Sequence, residues 1–277
     1  MKKKRSSWIY LVLGMMLFSL ITVSALPLVG SVVEGQQFVK NPHEEVITFS
    51  QRELGLMAAE ASGYQKVLER EPDNDTALNG LLKIRLQEKD IKGAIAPLEK
   101  LAKLHPEQTE YGTLLAQAKS QIEDYEGAAA VYNQVLAEHP GDIYALGGIT
   151  NLYLTQELPE RAIALLKQTI KLAQQDDSPT GINQKAVELL LGELYANQSR
   201  YGEAIALYDE LAQVDPTDFR PLLAKALVLA KKGDSIAAQP VLQKAYIAAP
   251  AQYKDQIDQE MERIVKESEV KSQKSQD

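Results

Sequence analysis

The stretch "DYEGAAAVYNQVLAEHP" occupies residues 124–140, and "DIKGAIAPLEKLAKLHP" occupies residues 90–106. They align without a gap at a separation of 34 residues. A fixed spacing of this kind marks an internal repeat, and a repeat governs every later reading of a chain. Proline keeps the same ruler at Pro72, Pro106 and Pro140, and again at Pro216 and Pro250, each step being 34 residues. The step from Pro140 to Pro216 is 76, two repeats plus eight residues. Alanine follows at Ala94, Ala128, Ala162, Ala204 and Ala238. Four residues after each alanine stands a large side chain: Leu98, Tyr132, Leu166, Tyr208 and Leu242.

Each marker has a physical role. Two antiparallel helices approach closely only where one presents a small side chain, which the alanines supply. The Leu or Tyr one turn later fills the space toward the neighbouring repeat. Proline lacks the amide hydrogen and clashes with the preceding turn, so it forces the chain out of the second helix. Asn74, Asp142 and Asp218 follow a proline by two residues and suit the N-cap of the next helix. The repeats count out as 75–108, 109–142, 143–176, 185–218 and 219–252. A half repeat at 50–74 precedes them, opened by a Ser50/Glu53 capping box with its helix running to about Glu69. A polar capping helix is expected at 252–266, carrying Lys254, Asp255, Asp258, Glu260 and Glu262, and the charged tail 267–277 is expected to be disordered. The inserted residues 177–184, "DSPTGINQ", read either as an early helix start at Ser178-Pro179 or as a loop that meets a partner.

With these markers the chain resembles the tetratricopeptide repeat family over about residues 59–253. The stretch "LLLGELYANQSRYGEAIALYDELAQVDP" at 189–216 carries Leu191, Gly192, Tyr195, Ala204, Tyr208 and Pro216 at the family's marker positions. Other repeats depart from them: Leu82, Ala116 and Thr150 stand in the place of Gly192, Arg85 and Lys119 in the place of Tyr195, and the family's early tryptophan is absent. The resemblance implies an all-α superhelical solenoid of about five and a half helix-turn-helix repeats plus a capping helix. It also implies a concave groove, lined by the first helix of each repeat, that binds a peptide or a partner helix. By position the groove receives Asn79, Lys83, Gln117, Gln121, Tyr144, Asn151, Glu193, Asn197, Arg220 and Lys231. One branch of the family grips chaperone C-termini with Lys, Asn and Arg. Here Asn79 and Lys83 fit it, but Tyr144 and Gly148 stand where basic residues are wanted, which argues against that activity.

A narrower similarity attaches to "DIKGAIAPLEKLAKLHPEQTEY" and "VLAEHPGDIYALGGITNLYL". These look like membrane-anchored tetratricopeptide proteins of cyanobacteria and their chloroplast relatives of the SLOW GREEN type. That similarity implies an assembly factor or co-chaperone in photosynthetic-membrane biogenesis. Periplasmic tetratricopeptide accessories of the secretion channel or of cytochrome c assembly are the alternative relatives.

At the N-terminus, basic residues 1–7 (Lys2, Lys3, Lys4, Arg5) precede 26 uncharged residues, Trp8 to Val33. A membrane-spanning helix needs about 20 apolar residues, and Trp8 and Tyr10 lie where an interfacial aromatic belt forms. The segment 8–33 is therefore expected to be a transmembrane anchor, followed by a stalk at 34–49. A cleaved signal peptide ending at Val23–Ala25 is the rival reading. The chain contains no cysteine, so a lipoprotein is excluded. The positive-inside rule places the N-terminus in the cytoplasm and the repeats in a periplasm or thylakoid lumen.

The net charge is −8, and without the four basic residues near the N-terminus it is −12. Such an acidic domain is a poor match for nucleic acid. Phosphate loops, HExxH and nucleophile elbows are absent from the sequence. The three histidines are His43, His105 and His139. The last two occupy equivalent places in adjacent repeats, about 10 Å apart by helix spacing, too far for one metal ion. They suit helix C-termini instead, and the pair Asp176-Asp177 reads as solvated. No catalytic residue, cofactor or metal site is expected, and an enzyme is the least favoured class. Other proteins, and the membrane through the anchor, are the expected partners.

Overall fold

A computed structural model describes residues 51–175 and 181–274. Twelve helices and no strands occur among the described residues. They are α1 (Gln51–Arg70), α2 (Asp75–Gln87), α3 (Ile91–Leu104), α4 (Thr109–Gln121), α5 (Tyr125–Glu138), α6 (Ile143–Thr155), α7 (Pro159–Ala173), α8 (Gln184–Asn197), α9 (Tyr201–Val214), α10 (Phe219–Lys232), α11 (Ser235–Ala248) and α12 (Ala251–Lys274). None is long and apolar enough to cross a membrane. The basic terminus, the anchor at 8–33 and the stalk at 34–49 lie outside the described residues.

The helix starts follow local chemistry. Asn74, Asp142 and Asp218 accept from the backbone amides of Ala77, Ala145 and Arg220 at 2.9, 2.8 and 3.0 Å. Asp90, Asp124 and Asp234 cap second helices in the same way, on Gly93, Gly127 and Ala237. Gln108 makes no such bond. The prolines act one step earlier than expected. Helices α3, α5, α9 and α11 stop at Leu104, Glu138, Val214 and Ala248, two residues short of the proline. A residue before proline is pushed out of the helical region, and His105 and His139 accordingly take φ −131° and −130°. The turn between the two helices of a repeat has its own signature. Lys89, Glu123, Glu157 and Ser199 adopt positive φ of 57–65°, in register with Gly233 at 97°.

Two compact units divide the described chain at Glu157 and Leu158. In the first, each helix from α1 to α6 packs on the next, and α4 also meets α6. In the second, α7 to α12 do the same, and α8 also meets α10. First helices are thus flanked on several sides. Helix α4 is buried without interruption from Tyr111 to Ala118, while α5 buries only Ala128 and Tyr132. The alanine series is fully buried, and Leu98, Tyr132, Leu166, Tyr208 and Leu242 are at most 2% exposed. Burying each such side chain contributes about 1.5–3 kcal/mol.

Two boundaries differ from the sequence reading. Helix α12 runs to Lys274, through most of the tail expected to be disordered; "KESEVKSQK" contains neither Gly nor Pro and is rich in helix formers. Helix α8 starts at Gln184 under an Asn183 cap rather than at Pro179, because Gly181 at φ 108° separates it from the earlier residues. The Ser50 half of the first capping box lies outside the described residues.

Candidate functional site

The ten residues assigned to the groove take different places. In the first unit, Asn79 is pinned: it donates to the Asp75 carbonyl at 2.9 Å and accepts from the Tyr111 hydroxyl at 3.0 Å. Lys83 and Asn151 are exposed, and Gln121 is half-buried. Tyr144 is half-buried and packs against the Leu78–Leu82–Leu98–Leu114 core. Gln117 is the correction. It is 0% exposed, and neither its amide oxygen nor its nitrogen has a hydrogen-bond partner among the described residues. Flanked by α3, α5 and α6, α4 has no open face at that level, so Gln117 is an interior residue and not a groove contact.

In the second unit three of the four assigned residues converge. Glu193 and Asn197 lie one turn apart on α8, and the Lys231 ammonium of α10 donates to Asn197 Oδ1 at 3.4 Å. Burial pushes the Glu193 carboxyl up to about 7, with Lys231 opposing the rise. Its charge is thus held between states near neutrality, beside an exposed cation. Arg220 is engaged elsewhere. Its guanidinium grips both carboxylate oxygens of Asp218 at 2.9 and 2.7 Å. Lys185 joins that cluster through Asp215 at 2.7 Å and Asp218 at 3.4 Å. The Lys185 hydrogen bond holds the Asp215 carboxyl well below the usual carboxylate range. This network ties the start of α8 to the start of α10 and occupies the Nε–Nη2 edge of Arg220.

The structure also shows a pairing that the marker series did not include. A Cβ placed on Gly80 or Gly148 would clash with the nearest phenol atom of Tyr64 or Tyr132. Each glycine follows its tyrosine by 16 residues, on the first helix of the next repeat. Where the second helix carries Leu98 instead, the residue 16 further on is Leu114, and both are buried in one cluster. Large meets small at two junctions and medium meets medium at a third. The signal that could have found it is this single spacing. Gly192 serves Tyr208 similarly, within one repeat.

Two family models described as "Tetratricopeptide repeat" match residues 123–179 and 189–253. These are tetratricopeptide repeats. Over 115 residues the chain is 29% identical to cellulose synthase operon protein C of Pseudomonas fluorescens, a match covering 41% of this chain and 9% of that protein. Yeast Tom70 superposes with a TM-score of 0.52 at 14% identity, covering 81% of this chain and 45% of that one. A tetratricopeptide repeat protein from Parabacteroides merdae gives a TM-score of 0.48 at 16% identity, covering 79% and 88%. The likeness to Tom70 shows the fold and nothing finer. The tetratricopeptide repeats provide a protein-interaction scaffold.

Proposed function

We propose that this chain is a membrane-tethered scaffold or assembly factor that holds a peptide or partner helix on the first-helix faces of its repeats. The observation that carries the reading is the Glu193–Asn197–Lys231 group. It combines an exposed ammonium, an amide and a carboxyl near neutrality on adjacent first helices. Such a set can bind peptide amides and carbonyls without committing to one net charge. Lys83 and Asn151 offer similar exposed polar contacts in the first unit. The tether rests on the basic residues and the uncharged run at 8–33. With it goes a topology of cytoplasmic N-terminus and periplasmic or lumenal repeats. The photosynthetic-membrane role rests on the stretches at 90–111 and 135–154 alone. An accessory of the secretion channel or of cytochrome c assembly is the alternative.

The test is quantitative co-purification from solubilised membranes, comparing the parent with a Glu193→Gln/Asn197→Ala/Lys231→Ala variant. A bound partner reduced by about tenfold or more, the scale of a hot-spot loss, is expected. Equal recovery with intact helicity refutes the groove reading. Release of the protein by a carbonate wash refutes the tether.

A further inference from the structure

The outer face of α11 sets the last repeat apart. Its exposed side runs Ile236, Pro240, Gln243, Ile247, at helical steps of four, three and four residues. Ile236 is 85% exposed and Ile247 70%. Single exposed apolar side chains need no explanation, but these occupy the two places where the chain's other repeats carry different residues. The equivalents of Ile236 and Ile247 are Lys92 and Lys103, Glu126 and Ala137, Glu160 and Lys171, and Gly202 and Gln213. Only the last repeat makes both positions large and apolar. Pro240, lying inside the helix, also lacks the amide that would otherwise bond the Ile236 carbonyl.

Charge sets it apart again. Residues 219–252 carry Arg220, Lys225, Lys231, Lys232 and Lys244 against Asp234 alone, a net +4 in a chain of −8. Arg220 is bound to Asp218 and Lys225 to Asp209. Lys232 and Lys244 are exposed and have no carboxylate in ion-pair range among the described residues. Lys232 ends α10, four residues before Ile236, and Lys244 stands on α11 three residues before Ile247. The preceding repeat, 185–218, holds seven acidic residues (Glu188, Glu193, Glu203, Asp209, Glu210, Asp215, Asp218) against Lys185 and Arg200.

From this juxtaposition we infer that the outer face of α11 is a second docking surface, which takes an acidic amphipathic helix of a partner protein. The spacing of the stripe suits the ridge of a facing helix. The flanking lysines select Asp or Glu beside that helix's apolar residues. A broad anionic lipid surface would meet the acidic repeat as well as the basic one, whereas a single helix meets the last repeat alone. The surface is independent of the first-helix faces.

The test uses the full chain in neutral detergent and two synthetic helical peptides of about 20 residues, long enough to hold helix. Both carry Leu at i, i+4, i+7 and i+11; one is flanked by Glu and the other by Lys. By fluorescence anisotropy the Glu peptide binds at least about tenfold more tightly than its twin, the scale of a lost hot spot. That preference weakens between about 0.1 M and about 1 M salt. Ile236→Ser/Ile247→Ser weakens the Glu peptide by at least about tenfold. Lys232→Glu/Lys244→Glu reverses the preference, a readout that survives should the serine variant misfold. Equal binding of the two peptides, or unchanged binding by both variants, overturns the inference. So does attachment to phosphatidylglycerol vesicles that the Glu peptide does not displace, or self-association abolished by the serine variant; these assign the face to lipid or to a second copy.

Discussion

Gly148 and Tyr132 provide the sharpest test of how neighbouring repeats are matched. Tyr132 is 2% exposed, so its ring has no solvent position to move to. A Cβ on Gly148 already overlaps that ring. Gly148→Leu therefore either overpacks the seam, at about 1–3 kcal/mol, or displaces the ring and forfeits burial of about 1.5–3 kcal/mol. By either route, or a mixture of them, a cost of about 1–3 kcal/mol is expected, a sizeable share of the roughly 5–15 kcal/mol that holds a domain. Tyr132→Leu alone leaves a cavity and costs about 2 kcal/mol. The double variant, however, rebuilds the pairing that Leu98 and Leu114 already make, both at 0% exposure. It should cost about 2–3 kcal/mol less than the sum of its parts, within the range of coupled neighbours. Urea unfolding of the chain from residue 34 onward, followed by far-UV circular dichroism, measures all four corners of the cycle. Additivity to within about 0.5 kcal/mol, the behaviour of independent sites, would refute the matching.

Three further outcomes are expected. Ala128→Leu, at a fully buried crossing, should cost about 1–3 kcal/mol, whereas Ala130→Leu on the exposed side of α5 should stay within about 0.5 kcal/mol; the reverse order in urea midpoints would show the helix phase to be wrong. Glu123→Gly relieves a positive φ of 65° and should raise stability by about 0.5–1 kcal/mol, and Gly233→Ala should lower it by about 1 kcal/mol; a destabilised Glu123→Gly would contradict the strain. Glu193 ionises at an ordinary 4.5 in the unfolded chain but near about 7 in the fold. Its neutral form favours folding, so this contribution is complete below pH 4.5 and is lost as pH rises to about 7. The loss is about 1–3 kcal/mol, and Glu193→Gln should abolish it; an unchanged pH profile in the variant would exclude Glu193 as the source.

The repeat was legible because its markers act locally or between neighbours of fixed spacing. Ala128 must be small wherever its helix is crossed, and the residue before Pro140 must leave the helix whatever surrounds it. The caps at Asn74, Asp142 and Asp218 satisfy amides three residues away at most. The candidate groove was legible only in part. Asn197 and Lys231 do meet, since they stand at the same place in successive repeats. Arg220 is taken by its own neighbour Asp218. The tyrosine–glycine sockets at Tyr64–Gly80 and Tyr132–Gly148 were present in the spacing as a size relation between residues of different repeats, which the single-residue markers do not express.

The sequence by itself determined the helix-turn-helix period, the first caps and the residues that close each seam, because these follow from backbone sterics and side-chain size along one or two turns. Only the tertiary structure decided that Gln117 lies inside, that Lys89, Glu123, Glu157 and Ser199 bear a left-handed backbone, and that the isoleucines of α11 stay uncovered. Burial is set by how many helices surround a given one. Helix α4 is enclosed by three, and the outer side of α11 faces none of the described helices. A polar residue at a groove position is therefore exposed in one repeat and interior in another.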